Sequence, residues 1–116
     1  MKRPFIREVL YYRKHYLRFF ETLDHASRKK LNWTLELIST LEWIPAPYFR
    51  QMSGHRGLYE IRTSSAQNEL RVFALMDGNR IILLNGFRKK TAKTPLYEIQ
   101  KARQLQAQYE IEKRGA

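Results

Sequence analysis

Apolar and polar residues alternate in well-defined blocks along this chain, most clearly between residues 58 and 95. The segment Leu58–Arg62 alternates apolar with polar positions, as a strand with one buried face does. Two longer apolar runs, Leu70–Met76 and Ile81–Leu84, flank Asp77–Asn79, and an Asp-Gly pair between such runs predicts a β-hairpin. The segment is therefore predicted to form a three-stranded meander.

Apolar residues at helical spacing predict three helices outside the meander. Positions 16, 19, 20 and 23 share one face of a first helix, and positions 31, 35, 38 and 41 share one face of a second. Asp24 is the predicted N-cap of the second helix, so the two helices form an αα-hairpin. Thr94 and Pro95 predict the start of a C-terminal helix whose apolar face continues to Tyr109. Residues 110–116 are polar and are predicted to form a frayed tail.

The remaining segments complete an α+β fold in a single domain covering residues 1–116. Residues 5–12 are rich in aromatic and β-branched side chains and predict a first strand, with a helix starting here as the alternative because the period is imperfect. Residues 44–57 contain two prolines and two glycines and are predicted to be a loop. The predicted order is β-α-α-β-β-β-α. A twisted antiparallel sheet is expected, with the helices packed on one face and the other face open.

The composition narrows the class of protein. Hydrophobic residues make up 43% of the chain, which favours a packed domain over disorder. The chain has no cysteine, which excludes disulfides and Cys-based zinc sites. No apolar run approaches the ~20 residues of a membrane helix, and the N-terminal segment lacks the apolar core of a signal peptide. The cytoplasm is therefore the expected location, with no membrane partner.

The charge of the chain indicates the kind of partner. Its 22 lysines and arginines outnumber its 11 acidic residues, for a net charge of +11. Such a charge attracts polyanions over long distances and speeds their association, so nucleic acid is the leading candidate. The alternative is a basic surface without a partner.

Five basic residues lie where the predicted strands bring them together: Arg62, Arg71, Arg88, Lys89 and Lys90. Arginine grips a phosphate through two parallel hydrogen bonds, and lysine acts as a point charge. On RNA such a cluster can also catalyse attack of the 2′-OH on the neighbouring phosphate. Arginine stabilises the transition state, and a lysine crowded by other cations gives up its proton more readily and can act as general base. Composition alone does not separate RNA cleavage from plain nucleic-acid binding, and from the residues alone binding is the favoured interpretation.

Each of these residues also has a purely structural interpretation. Arg62 and Arg71 can pair with Glu60 or Glu69 across the strands, and Lys89 and Lys90 can belong to a solvated loop. Glu60 is the only acid expected near the basic loop. The sequence has no glycine-rich phosphate loop, no Ca²⁺ loop and no paired histidines, because His15, His25 and His55 are scattered singly. No metal ion or cofactor is therefore predicted.

Three segments carry a resemblance to a known family: LYEIR, LRVFALMDGNRIILLNGFRKKTAKTP and LYEIQKA. They resemble the RelE/ParE toxin superfamily, and within it the HigB-like, phage-related toxins of type II toxin–antitoxin systems. The resemblance covers residues 16 to 109 in element order. The matching positions are Leu58, Glu60, Ile61 and Arg62, then Arg71, Val72 and Phe73, then Leu83, Leu84, Phe87, Lys89, Lys90, Thr91, Lys93, Thr94 and Pro95.

The resemblance implies a small microbial-RNase-like fold and ribosome-dependent cleavage of mRNA. It also implies an antitoxin, in this branch a helix-turn-helix protein, through which the toxin reaches operator DNA. The phosphate-gripping arginine of the family corresponds to Arg71 and its second strand arginine to Arg62. The basic cluster after the last strand corresponds to residues 88–90, with Lys93 beside it.

The resemblance gives the remaining roles less directly. Many relatives carry a catalytic Tyr or His near the C-terminus, but none follows Tyr109 here, so the resemblance leaves the general acid open. His55 is the candidate, since some relatives use a histidine in that region. Arg56, Tyr59 and Lys93 are the expected RNA contacts. The superfamily also contains ParE-type toxins that inhibit DNA gyrase without cutting RNA, and this is the alternative function.

Overall fold

The structure, a computed structural model, describes residues 4–115 as a five-stranded mixed sheet with three helices. The strands are β1 (Glu8–Tyr11), β2 (Phe49–Gln51), β3 (Leu58–Ser64), β4 (Glu69–Asp77) and β5 (Arg80–Arg88). The helices are α1 (His15–Glu21), α2 (His25–Thr40) and α3 (Leu96–Gly115). The predicted α+β class is confirmed, and the architecture is consistent with a small RelE-like fold.

The strand order in the sheet is β1-β5-β4-β3-β2. The meander of β3, β4 and β5 is antiparallel as predicted, but two details of the predicted sheet are wrong. Phe49–Gln51 forms an extra edge strand inside the predicted loop, and three residues after a proline are too few to show a period. β1 runs parallel to β5, so the sheet is mixed rather than antiparallel. Its partner is a strand far along the chain, which local sequence does not reveal.

The helices cover both faces of the sheet, where one covered face is predicted. On the first face, α1 and α2 bury Phe19, Leu31 and Ile38 against alternate residues of the strands, including Val72. On the second face, α3 buries residues such as Ala102 and Leu105 against the other set of alternate residues, including Phe73 and Leu84. The physical reason is visible in β4 and β5, which are apolar at consecutive positions and so need cover on both sides.

Two helix ends show how local chemistry fixes these elements. Asp24 caps α2 as predicted, because its side chain accepts a hydrogen bond from the backbone N–H of Ser27 at 3.3 Å. α3 continues to Gly115, whereas a frayed tail is predicted from residue 110. The hydroxyl of Tyr109 and the ammonium of Lys113 both donate to Asp77, and this contact ties the end of α3 to the β4–β5 turn.

None of the helices found between residues 4 and 115 has both the length and the apolar character needed to cross a bilayer.

Candidate nucleic-acid interface

The predicted arginine pair comes together on the second face of the sheet. Arg62 and Arg71 are partners in the β3–β4 register, and strand alternation places both on the side of Leu58 and Phe73. Their Nε atoms lie 3.5 Å and 3.9 Å from the same oxygen of Glu60, Oε1. The Arg71 side chain is only 6% exposed and the Glu60 side chain only 7%, whereas that of Arg62 is 30% exposed. One buried carboxylate thus lies between two cations.

Two N–H donors of the arginine pair form no hydrogen bond with the described residues. Arg71 donates through Nη1 to the Leu70 carbonyl at 2.9 Å and to Glu69 at 3.2 Å. Within residues 4–115, the buried Nε atoms of Arg62 and Arg71 have no hydrogen-bond partner. A buried donor without an acceptor costs stability, so the arginine pair is not fully satisfied within the protein. Glu69 is a second acid at the cluster, beside the predicted Glu60.

The basic segment that begins at Arg88, the last residue of β5, divides between the two faces of the sheet. The backbone N–H of Lys89 donates to the Glu69 carbonyl at 2.8 Å, which brings this residue beside the start of β4. Lys90 and Lys93 follow on an exposed loop. Arg88 lies on the first face, where its guanidinium donates to the Thr22 carbonyl after α1. The structure therefore places Lys89 near the arginine pair but turns the Arg88 side chain away from it.

Three other predicted residues lie apart from the arginine pair. His55 and Arg56 precede the first residue of β3, whereas Arg62 lies near its end. Nδ1 of His55 is 3.4 Å from Nη1 of Arg103 on α3, and the Arg56 carbonyl accepts a hydrogen bond from Gln106. Tyr59 is on the first face, and its ring stacks on Phe49 with centroids 4.8 Å apart and planes 10° from parallel. In this geometry Tyr59 packs within the protein.

A cavity of about 310 Å³ opens beside the arginine pair. Its lining residues are Lys30, Pro47, Tyr48, Arg62, Thr63, Ser64, Glu69 and Arg71. Lys30 comes from α2 and Tyr48 from the segment before β2, and neither is predicted as a site residue. Their place at the site depends on tertiary contacts, such as the 2.9 Å hydrogen bond from the Arg62 N–H to the Tyr48 carbonyl. The only signal for Tyr48 in the sequence is the high aromatic content.

A larger groove of about 740 Å³ lies between β1 and α2, but its chemistry is different. Its lining includes Phe5, Ile6, Val9 and Leu35, and the guanidinium of its arginine, Arg7, donates to carbonyl groups at the end of α2. In the part of the chain that the structure describes, no three acidic or histidine side chains form a group that could hold a metal ion. The cavity at the arginine pair is lined by three basic residues, which suits it to a phosphate group.

Comparison with known protein families assigns most of the chain to one family. Residues 18–107, most of the chain, match the family described as Phage derived protein Gp49-like (DUF891). Among curated proteins, none matches the chain. The matched region includes the second half of α1, all of α2, β2 to β5 and most of α3. The chain therefore belongs to the phage-derived Gp49-like family, a RelE-like family that is associated with the toxins of toxin–antitoxin systems.

Proposed function

We propose that this chain is the toxin of a type II toxin–antitoxin system and that it cleaves mRNA on the ribosome. The observation that carries the proposal is the Arg62–Arg71 pair, in which two arginines that line one cavity share a single buried carboxylate. Family membership supports the toxin role, and the arginine pair supports a phosphate as the group that is recognised.

The proposed step is an internal transfer within the RNA. The 2′-oxygen attacks the adjacent phosphorus, a bond to phosphorus forms, and the bond to the 5′-oxygen breaks. The products carry a 2′,3′-cyclic phosphate and a 5′-OH. Arg71 is suited to stabilising the extra negative charge, because burial fixes its guanidinium before the reaction begins. Lys89 is our candidate to accept the 2′-OH proton, and Lys90 is the alternative.

The proton on the leaving 5′-oxygen has to come from a second group. We propose His55 for this role as the resemblance implies, although it lies at the opposite end of β3 from Arg62. The proposed partners are the ribosome, the mRNA and an antitoxin of helix-turn-helix type, with operator DNA bound through the antitoxin complex. The net charge of +11 favours association with the ribosome and with mRNA, because both are polyanions.

Pulse labelling of cells that express the chain alone tests this function. Incorporation of amino acids should stop before incorporation of thymidine, and mRNA should acquire new 5′-OH ends. Cleavage on purified ribosomes should also continue in EDTA, apart from any loss that is due to the ribosomes falling apart without Mg²⁺. Early loss of DNA synthesis with intact mRNA would contradict the proposal and would favour inhibition of gyrase. New 5′-phosphate ends would contradict the mechanism.

A further inference from the structure

The cavity at the arginine pair extends to a lysine that is held in place before any ligand binds. Lys30 lines this cavity, and its Nζ lies 4.3 Å from the ring centroid of Trp33, three residues later on α2. A cation over an indole face is attracted by the ring, and residues three apart on a helix are neighbours. The contact with Trp33 therefore restricts the positions that the Lys30 ammonium can take.

An aromatic ring lies beside this lysine. Tyr48 lines the same cavity, and its ring meets Trp33 edge to face, with centroids 5.7 Å apart and planes at 72°. The Tyr48 carbonyl accepts the Arg62 N–H, so its backbone is coupled to the strand that carries the arginine. Trp33 is 45% exposed and positions both neighbours. The cavity thus combines two arginines, a lysine and an aromatic ring.

We infer that Tyr48 and Lys30 form a subsite for the nucleotide next to the phosphate that Arg62 and Arg71 hold. Sites for single-stranded nucleic acid combine a cationic groove for the backbone with aromatic rings on which bases stack. Tyr48 contacts the base, and Lys30 contacts the phosphate on the far side of that nucleotide. A volume of about 310 Å³ lies in the range of small-molecule sites, ~300–1,000 Å³. The inference rests on the proposed function, because it takes RNA as the substrate.

Binding of a short RNA tests the subsite without ribosomes and without cleavage. The ligand is a single-stranded hexanucleotide with 2′-O-methyl groups, which cannot attack the phosphate, and a series of its derivatives lacks one base at each position in turn. The full chain and its Tyr48→Ala variant are titrated with each RNA. One abasic position should weaken binding to the full chain by roughly five- to hundredfold, the size of one lost base–aromatic stack. Tyr48→Ala should lose binding by a similar factor.

The coupling between the two changes identifies the contact. If Tyr48 stacks on that base, removing both costs no more than removing either one. Tyr48→Leu keeps apolar volume without the ring and should bind like Tyr48→Ala, whereas Tyr48→Phe should bind like the unmodified chain. Lys30→Gln should reduce the slope of log affinity against log salt concentration by about 0.7, the value for one phosphate contact on a single strand. Trp43→Ala is the control, since Trp43 is 83% exposed and does not line the cavity.

The outcomes separate this inference from the proposed function. If the chain cleaves mRNA on ribosomes but Tyr48→Ala and Tyr48→Leu bind every RNA as the unmodified chain does, the subsite is overturned and the function stands. If the chain cleaves nothing but the coupling to Tyr48 is found, the subsite stands and the nuclease function falls. Additive losses for Tyr48→Ala and every abasic RNA, or no binding of any hexanucleotide, would overturn the subsite.

Discussion

Arg62 and Arg71 lie directly opposite each other on neighbouring antiparallel strands. Like charges in this position repel, and cross-strand pairs normally have opposite charges. Oε1 of Glu60 lies 3.5 Å from one Nε and 3.9 Å from the other, which offsets part of the repulsion. Both Nε atoms still lack a hydrogen-bond acceptor among residues 4–115. The free protein therefore stabilises the pair incompletely, and a phosphate bound in the neighbouring cavity would add negative charge beside the two arginines.

Replacing the shared carboxylate tests this relationship. Glu60→Gln removes the negative charge and leaves two cations, so the free energy of unfolding should fall by about 1–3 kcal/mol, less than for a fully buried pair because Arg62 is partly exposed. Inorganic phosphate should then stabilise the variant more than the unmodified chain. Urea unfolding with and without phosphate measures both effects.

The matched control for that substitution is Glu8→Gln. Glu8 pairs with Arg80 at 3.1 Å, and both side chains are 55% exposed. Exposed pairs contribute ~0–1 kcal/mol, so this variant should unfold almost as the unmodified chain does. If both variants lose the same free energy of unfolding, and phosphate stabilises Glu60→Gln no more than the unmodified chain, then Glu60 does not offset the repulsion between the two arginines.

Gly86 is required by packing rather than by the site. A Cβ at this position would overlap the ring of Phe19, which α1 presses against β5. Gly86→Ala should therefore destabilise the chain by about 1–3 kcal/mol, the usual cost of overpacking a core. Phe19→Leu in the same chain should recover part of this loss by removing the ring. Thermal unfolding of the single and double variants measures the effect, and a Gly86→Ala variant as stable as the unmodified chain would refute the packing argument.

The sequence predicts the meander well because its signals are local. The Asp77–Asn79 turn and the apolar runs on either side lie within one short segment, and the structure joins β4 to β5 at this place. The consecutive apolar positions 72–75 are also a signal for two covered faces, since alternation alone would suffice for one. This pattern predicts a helix on the second face of the sheet, which is where α3 lies.

Other features depend on contacts that no local pattern records. Phe49–Gln51 becomes a strand only because β3 offers an edge, and Glu8–Tyr11 is parallel because its partner is β5. Lys30 and Tyr48 reach the arginine cavity from two segments far apart in the chain. Arg88 is adjacent to Lys89 in sequence, yet strand alternation turns its side chain to the opposite face, toward Thr22.

The end of α3 should respond to pH through Asp77. A hydrogen bond from Lys113, and then one from Tyr109, lowers the pKa of Asp77 below its ordinary value. A carboxyl group whose pKa is lower in the folded state contributes stability above its unfolded pKa and loses that contribution as the pH falls through the folded pKa. Asp77→Asn should therefore lower the melting temperature at neutral pH, and the difference from the unmodified chain should shrink as the pH falls below about 4.

The Tyr109 hydroxyl, which donates to Asp77, should make stability depend on pH in the alkaline range. The hydrogen bond to Asp77 raises the pKa of Tyr109 to about 12. A tyrosine with a raised folded pKa stabilises the chain below its unfolded pKa, about 10, and loses this effect as the pH rises toward the folded value. Tyr109→Phe should therefore reduce stability near neutral pH and lose its effect at high pH. A difference that stays constant from acid to alkali for both variants would contradict this account of the α3 anchor.

Lys93 should contribute to binding and little to turnover. It is exposed on the loop after β5, and its carbonyl accepts a hydrogen bond from the Thr91 hydroxyl at 2.7 Å. Lys93→Ala should weaken ribosome binding mainly at low salt and reduce the salt dependence of affinity, because one phosphate contact is lost. Arg114→Ala is the control, since Arg114 is an exposed cation near the other end of α3, about 30 Å along the helix axis. Equal effects of the two substitutions would mean that only net charge matters.

The most direct test of the central claim is single-turnover cleavage of mRNA on programmed ribosomes at saturating protein, with Arg71 substituted. If the buried guanidinium stabilises the transition state, Arg71→Ala should raise the barrier by ~2–4 kcal/mol, or roughly 30- to 1,000-fold in rate. Arg71→Lys should not restore the rate, because an ammonium lacks the planar fork. Circular dichroism confirms folding, and Glu60→Gln combined with Arg71→Ala shows whether the Glu60 carboxylate, which Arg62 still contacts, affects the rate. Slow cleavage by these folded variants is the predicted result, and cleavage by folded Arg71→Ala at the unmodified rate would contradict the account.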